Sequence, residues 1–157
     1  MKHRIAICAV AGMVVLLAGC MSANENTALK DVNADRAANH AAALSVNEML
    51  VNKAESWAQG LLAGSGNVCL ASSLHHSTLS TGAPAGWKEL GENVGCLTSP
   101  NSADAEIGPL EAGFMASPGH RANIVNPAFN YGGMGVASET LPSGEVLLFE
   151  VQEFAQL

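Results

Sequence analysis

Apolar residues in the first half of the chain recur every three to four positions, which is the spacing of one face of a helix. This spacing predicts a first helix over residues 26–39. A second helix is predicted to begin with Ser45 as its cap, because Glu48 follows three residues later in the capping-box arrangement. The apolar stripe of this second helix is predicted to be core and consists of Leu50, Ala54, Trp57, Ala58, Leu61 and Leu62.

The middle of the chain alternates between polar loops and short apolar stretches. Residues 72–88 are polar and rich in turn-forming residues, which indicates a long loop, and loops of this length are usually functional or mobile. A short strand is predicted over 94–97. Pro109 suits the first position of a helix, so a third helix is predicted to begin there and to stop before Pro118, followed by a one-turn helix over 121–125.

The end of the chain has the pattern of a β-hairpin. Strands are predicted over 131–138 and 146–154, around a turn at 142–144. The second strand has apolar residues at both alternating sets of positions, and a strand that is apolar on both faces needs a covering layer on each side. With the helices as those layers, we expect an α/β fold, specifically a three-layer α/β/α sandwich.

The N-terminus has the organisation of an export signal. Lys2 and Arg4 precede an apolar run over 5–17, which is shorter than the ~20 residues that span a bilayer. The sequence Leu-Ala-Gly-Cys at 17–20 ends this run, and small residues before a cysteine are typical of a bacterial lipobox. We therefore expect cleavage before Cys20 and its acylation.

This signal divides the chain into three parts. Residues 1–19 are predicted to be a lipoprotein signal peptide, and residues 20–25 the lipidated cysteine with a short tether. Residues 26–157 are predicted to be one folded domain, long enough to bury a core. The expected location is the cell envelope, with the lipid anchoring the domain in a bacterial membrane.

The charge of the mature chain restricts its partners. Loss of Lys2 and Arg4 leaves five Lys+Arg (seven minus two) against fourteen Asp+Glu, a net charge of −9 with His neutral. Such a balance opposes binding to nucleic acid or to an anionic lipid surface through charge. We therefore expect no nucleic-acid partner, and membrane contact through the lipid anchor.

Two of the four cysteines remain once the signal cysteine and Cys20 are set aside. In an exported chain, Cys69 and Cys96 most simply form a disulfide. The alternative is a mixed zinc site with His76 and His120. The disulfide is favoured, because neither cysteine has the close Cys partner of the usual zinc motifs.

Ordered sequence blocks give the chain a family resemblance. The blocks are Leu29, Val32-Asn33 and Arg36, then His76-Ser77, Gly91-Glu92-Asn93, Ser117-Pro118-Gly119-His120-Arg121 and Val151-Gln152-Glu153-Phe154. Their wording and order resemble the CAP superfamily (cysteine-rich secretory proteins, antigen 5 and pathogenesis-related 1) in its compact bacterial, SCP-like form. The resemblance runs from residue 26 to the end, and it implies the same sandwich fold with a cleft that holds two histidines and two glutamates.

The resemblance assigns the cleft residues individually. It implies that His76 and His120 are the two histidines and that Glu92 is the first glutamate. The second glutamate has no match, because Ser117 stands where the larger members carry it. Glu111, one helical turn before Phe114, is a weaker candidate to reach the cleft.

These residue types allow both metal binding and structural roles. Two neutral imidazoles hold a divalent metal such as Zn²⁺, and a carboxylate orients one ring, but two histidines give only a weak site. Asn93 and Ser117 complete the predicted cleft, with Ser117 expected to cap the short helix after it rather than to attack a substrate. The alternative is a purely structural role, in which His120 and Glu92 only hold the helix against the sheet.

Three functions are compatible with this sequence. The first is a binding module for a small apolar or metal-linked ligand, since the resemblance implies sterol and lipid binding. The alternative is a metal-assisted or Ser/His hydrolase of cell-envelope material, with Glu92, His120 and Ser117 as candidate catalytic residues. The third is a surface interaction protein that leaves the cleft empty.

Overall fold

A computed structural model describes residues 21–157 of the chain. The predicted signal peptide and Cys20 lie outside the described residues. The helices are α1 (Ala23–Ala38), α2 (Glu48–Gly64), α3 (Ala103–Ala116) and α4 (Pro118–Ile124), with a 3₁₀ turn at Ala71–Ser73. The strands are β1 (Ser45–Val46), β2 (Glu89–Ser99), β3 (Tyr131–Thr140) and β4 (Val146–Gln156).

The strands form one mixed sheet in the order β1-β3-β4-β2. β4 pairs antiparallel with β3 and β2 on its two sides, and β1 pairs parallel with the start of β3. α2 packs on one face of the sheet, and α1, α3 and α4 pack on the other. The fold is therefore the predicted three-layer α/β/α sandwich.

The core lies in two clusters, one on each face of the sheet. One cluster joins the sheet to α1, α3 and α4 through residues such as Val32, Ile107 and Phe154. The other joins it to α2 through residues such as Ala58 and Phe149. Nearly all of β4 is buried, as the apolar pattern on both of its faces predicts.

Two glycines of β3 allow α2 to approach the sheet closely. A Cβ atom on Gly133 would lie 2.2 Å from the backbone nitrogen of Val51, and one on Gly135 would lie 2.1 Å from the carbonyl carbon of Ala54. Any other residue would push α2 outward. The depth at which α2 sits against the sheet, and hence the position of its polar residues, depends on these glycines.

The helix starts differ from the sequence predictions. α1 begins at Ala23, because Ser22 and Glu25 form a capping box, so residues 23–25 belong to the helix rather than to a tether. α2 is capped by Asn47, whose side chain accepts hydrogen bonds from the next turn, whereas Ser45 lies in β1. The predicted capping box at Ser45 was therefore wrong.

α3 also begins earlier than predicted. It starts at Ala103 and contains Pro109 in its interior. Ser102 occupies the N-cap position, and Asp104 and Glu106 supply the acidic first turn that a helix N-terminus favours. The sequence prediction placed the start of the helix at Pro109, but these upstream residues already form its first turn.

The remaining boundaries are extensions of the predicted elements. α4 begins at Pro118 rather than Arg121, β2 is an eleven-residue strand rather than four residues, and the hairpin strands each run two residues further. No helix of residues 21–157 is long and apolar enough to cross a membrane.

The predicted disulfide between Cys69 and Cys96 is confirmed. The two Sγ atoms are 1.98 Å apart and the Cα atoms 5.7 Å apart. Because both sulfurs are bonded to each other, the alternative Cys/His zinc site is excluded. The bond ties the segment before His76 to the middle of β2, on which Glu92 lies.

Candidate functional site

His76 and Glu92 form a direct pair at the edge of the sheet. The Nδ1 atom of His76 lies 2.7 Å from Oε1 of Glu92, and the same oxygen accepts a hydrogen bond of 2.9 Å from the backbone N–H of Ser77. The Glu92 side chain is fully buried, whereas that of His76 is 62 % exposed. A buried carboxylate therefore orients an exposed imidazole and leaves its Nε2 atom for another partner.

A second glutamate joins this pair from β4. Glu153 stands directly opposite Glu92 in the β2–β4 register and is also buried. Lys53 of α2 forms an ion pair with Glu153, and its Nζ atom lies 3.8 Å from Oε2 of Glu92. Lys53 thus balances two carboxyl groups that would otherwise repel each other across the ladder.

This environment shifts the pKa values of the two carboxyl groups in opposite directions. Burial raises the pKa of Glu153 to about 8, and the neighbouring Glu92 adds to that rise against the opposing effect of Lys53. Burial also raises the pKa of Glu92, but contacts with Ser77, Glu153 and His76 outweigh it, so the pKa lies below its ordinary value. The opposite shifts mean that a proton shared by the pair is held more readily by Glu153 than by Glu92.

His120 approaches the same region from the N-terminal turn of α4. Its ring packs edge-on against Phe114, with ring centroids 5.0 Å apart. Burial lowers the pKa of His120, and the charge of nearby His76 lowers it further. His120 is therefore neutral at physiological pH and able to act as a nitrogen ligand or acceptor.

Asn93 supports the site from inside rather than lining it. It is fully buried, and its Nδ2 atom donates to the backbone oxygen of His120 (3.1 Å) and to Oε1 of Gln152 (2.9 Å). Asn123 donates to Oδ1 of Asn93 and to the backbone oxygen of Glu92. These bonds fix the α4 turn, and with it His120, against the edge strand β2.

The two other predicted residues occupy different places. Ser117 lies at the junction of α3 and α4 in the N-cap position, but its side chain makes no capping hydrogen bond, so its predicted capping role was wrong. Glu111 is buried beside Gln152, on the α1 and α3 side of the sheet. It lies on the opposite face of the sheet from Lys53, and the glutamate that lies beside Glu92 is Glu153 instead.

A cavity of about 530 Å³ opens beside this cluster, between α2 and the loop that follows His76. Its walls carry the apolar side chains of Met49 and Trp57, together with hydroxyl groups of the loop. Lys53 and Ser77 lie on its lining and both contact Glu92, so the cavity and the His76–Glu92 pair are continuous. Trp57 packs only partly on the core, so the prediction of a purely core role for it was incomplete.

Comparison with known proteins agrees with this geometry. Residues 29–150 match the CAP family (Cysteine-rich secretory protein family). The chain belongs to the CAP family. No protein among the curated sequences matches the chain closely enough to count as a relative.

Solved structures of bacterial proteins show the same CAP fold. An extracellular protein with an SCP domain from Bacillus anthracis matches with a TM-score of 0.62 at 19% identity, covering 88% of this chain and 45% of the other. An outer surface protein from Borrelia burgdorferi matches with a TM-score of 0.60 at 11% identity, covering 85% and 92%. A cysteine-rich secretory protein from Staphylococcus aureus matches with a TM-score of 0.51 at 15% identity, covering 85% and 39%.

Two of these neighbours are more than twice as long as the matched region. The chain spans less than half the length of the Bacillus anthracis and Staphylococcus aureus proteins. The neighbours are described as extracellular, outer-surface or secretory proteins, which is consistent with export of this CAP domain.

The CAP cleft of this chain fits a weakly held metal better than a structural one. No group of three or more His, Cys, Asp and Glu side chains within residues 21–157 is arranged to hold a metal ion. His76 has the carboxylate-oriented ring that metal-binding histidines commonly show, and His120 is a second imidazole whose pKa is influenced by His76. If both imidazoles held a divalent ion, coordination positions would stay open, and the ion would supply a Lewis acid rather than structural support.

Sequence reasoning found His76, Glu92 and His120 but missed Lys53 and Glu153. Both missed residues have a signal in the sequence. Glu153 is an acidic residue in a strand with apolar positions on both faces, and Lys53 is the cation one residue before Ala54 in the apolar stripe of α2. A charge at such positions must be paired, which indicates a site.

Proposed function

We propose that this CAP-domain protein is an exported, lipid-anchored binding module whose cleft holds a small apolar ligand with one polar end. The observation that carries this proposal is the cavity of about 530 Å³ between α2 and the loop after His76. That volume lies within the ~300–1,000 Å³ of typical small-molecule sites. Met49 and Trp57 offer apolar surface, and Lys53, Ser77 and Thr81 offer polar groups.

The polar groups indicate how a ligand is oriented. Among the described residues that line the cavity, Lys53 is the one cation, and Glu153 and Glu92 already balance it, so the lining does not select a charged head group. The Ser77 hydroxyl is buried close to Glu92 and completes no hydrogen bond among residues 21–157. A hydroxyl or carbonyl group at the end of an apolar body satisfies Ser77 without disturbing the ion pair.

The proposed location rests on the N-terminus and on the neighbours. The Leu-Ala-Gly-Cys sequence supports lipidation at Cys20, and acylation with more than one chain gives stable membrane anchoring. Export agrees with the extracellular and outer-surface neighbours. A tethered domain with an apolar cavity is suited to hold lipid-like or other envelope components near the membrane.

The metal belongs to this proposal as a conditional partner. We propose that His76 and His120 bind Zn²⁺ or another divalent ion weakly, with Glu92 orienting the His76 ring. When bound, the ion would supply a Lewis acid at the rim of the cleft, able to coordinate an oxygen of the ligand. The protein's own residues bind and orient the ligand in either state.

Binding of a fluorescent long-chain alcohol to the soluble domain tests the proposal. Trp57→Ala should weaken binding about tenfold or more, because it removes one apolar wall of the cavity. Trp87→Ala is the matched control, since Trp87 is 44 % exposed and does not line the cavity. Equal affinities of the two variants, or no binding by the unaltered domain, would refute the binding module.

A metal-assisted hydrolase of envelope material is the second candidate. It is favoured by the His76–Glu92 pair, in which a buried carboxylate sets one ring nitrogen and leaves the other for proton transfer. Turnover of envelope extracts by the zinc-loaded domain, lost in Glu92→Gln with folding retained, would support it. Turnover that survives Glu92→Gln would exclude this mechanism.

A further inference from the structure

A second cavity lies on the opposite side of the sheet from the cleft, between α1 and α3. It has a volume of about 410 Å³ and is lined by three acidic residues, Asp31 and Asp35 of α1 and Glu111 of α3. The remaining lining includes the apolar side chains Ala34, Ala112 and Met115. We refer to it as the acidic cavity.

Glu111 is buried in this cavity with an unused hydrogen-bond acceptor. Its side chain is 3 % exposed; Oε2 accepts a hydrogen bond of 2.6 Å from Gln152, whereas Oε1 has no hydrogen-bond partner among residues 21–157. Glu150 on β4 is fully buried, and within the same residues its Oε2 is likewise without a partner. Buried carboxylate oxygens are normally paired, so the unpaired oxygen of Glu111, which lines the cavity, indicates a missing donor.

The surroundings hold negative groups without a counter-charge. Within residues 21–157, none of Asp31, Asp35, Glu111 and Glu150 forms an ion pair. The nearby cation of α1, Arg36, points elsewhere and donates to four backbone carbonyl groups. The described residues that line the acidic cavity therefore include carboxyl groups from α1 and α3 and no cation.

The titration of these groups agrees with a missing cation. Burial raises the pKa of Glu111 to about 8, and Glu150 and Asp35 raise it further against the effect of Gln152. Burial likewise raises the pKa of Glu150 to about 7, with Asp31 adding to the rise. In the absence of a cation, these carboxyl groups keep protons to avoid repelling one another.

We propose that the acidic cavity binds an organic ammonium ion, with the ammonium donating to Asp35 and Glu111 and its alkyl chain lying on Ala34, Ala112 and Met115. An ammonium group has three donors and can bridge two neighbouring carboxyl groups. A metal ion is less suitable, because the described residues hold no group of three ligands arranged for one. This site is independent of the cleft function proposed above.

Binding releases a proton, because an ammonium beside Glu111 lowers the pKa of that carboxyl group from its value of about 8. Isothermal titration of the soluble domain with putrescine (1,4-diaminobutane) near neutral pH, in buffers of different ionisation enthalpy, measures this release. We expect release of about one proton or less per site. The uncharged analogue 1,4-butanediol should not bind.

Variants locate the binding. Asp35→Asn and Glu111→Gln should each weaken putrescine binding about tenfold, since each removes one charged acceptor. Glu139→Gln, at an exposed position of β3, is the charge-matched control and should leave binding unchanged. Folding of each variant is checked by thermal unfolding.

Several results would overturn the proposal. These are no binding of putrescine at millimolar concentration, equal binding of 1,4-butanediol, and equal weakening by Glu139→Gln. Binding of Ca²⁺ that excludes putrescine would identify a metal site and reject the ammonium. Binding without proton release would place the ligand outside the Glu111 environment.

Discussion

Glu92 on β2 and Glu153 on β4 are direct cross-strand partners, and Lys53 of α2 reaches both. Like charges opposite each other on a sheet are destabilising, so this arrangement needs both the lysine and a retained proton. The cluster stands next to the cavity and orients the ring of His76. Under the proposed function, substitutions in this cluster should therefore affect both stability and ligand binding.

Lys53→Met should destabilise the domain by about 3 kcal/mol, because it leaves two buried carboxyl groups without their cation. The loss should be smaller near pH 5, where Glu153 keeps its proton, than near pH 8, around its pKa of about 8. Urea unfolding followed by circular dichroism measures both values.

Two controls separate charge from packing in that experiment. Lys30→Met, at an exposed position of α1, should change stability by less than ~0.5 kcal/mol. The double variant Lys53→Met/Glu153→Gln should recover much of the loss, since it removes the carboxyl group that pairs with Lys53. No difference between the two lysine variants would contradict the role of Lys53.

Stability should fall as the pH rises towards 8, because Glu111 has a raised pKa. Its folded pKa is about 8 against an ordinary value of 4.5, so its contribution is complete below 4.5 and is lost as the pH rises through 8. Glu150, raised to about 7, acts in the same direction.

The corresponding variant is Glu111→Gln, which cannot ionise and still accepts a hydrogen bond from Gln152. It should reduce the loss of stability between about pH 5 and pH 8 by on the order of 2 kcal/mol, whereas Glu139→Gln should not. Thermal or urea unfolding across this pH range measures the slope. An unchanged slope in Glu111→Gln would show that this carboxyl group titrates normally.

Zinc should raise the melting temperature of the soluble domain if His76 and His120 bind it, since a ligand of the folded state stabilises that state. The effect should fade below about pH 6, because the imidazoles must be neutral to coordinate. His76→Ala and His120→Ala should each abolish it, whereas His40→Ala, an exposed histidine after α1, should not. A zinc response that persists in both cleft variants would place the metal elsewhere.

The lipobox predicts that Cys20→Ser releases the protein from the membrane fraction or leaves a precursor of altered mobility. Cell fractionation with labelled fatty acid measures both effects. Cys8→Ser, within the apolar run of the signal, is the matched control and should leave anchoring intact. Unchanged anchoring and mobility in Cys20→Ser would contradict lipidation.

The sequence predicted the sandwich and half of the cleft for identifiable physical reasons. The double-faced apolar pattern of β4 required two covering layers, and both layers are present. The predicted export of the chain favoured a disulfide between Cys69 and Cys96, and the disulfide is confirmed. His76 and Glu92 lie within short sequence motifs, His-Ser and Gly-Glu-Asn, which is why they were identified from the sequence.

The rest depends on contacts between distant parts of the chain. Lys53 and Glu153 are separated by one hundred residues and meet only through the register of β4 and the close approach of α2 to Gly133 and Gly135. Helix starts were misassigned where two candidate caps compete, as with Ser45 and Asn47. The choice between these two caps depends on the pairing of Ser45 with β3, and a local sequence pattern does not reveal that pairing.

The proposed function requires that the cavity beside His76 binds a small apolar ligand. The chain has two tryptophans, and only Trp57 lines this cavity, with its indole N–H donating to the backbone oxygen of His75 at 3.0 Å. The most direct measurement is a titration of the ¹⁵N-labelled soluble domain with a long-chain alcohol, in which the two indole N–H resonances are followed. We expect a saturable shift of the Trp57 resonance, with the Trp87 resonance unmoved. A Trp57 resonance that stays in place at saturating ligand, or a shift confined to Trp87, would contradict it.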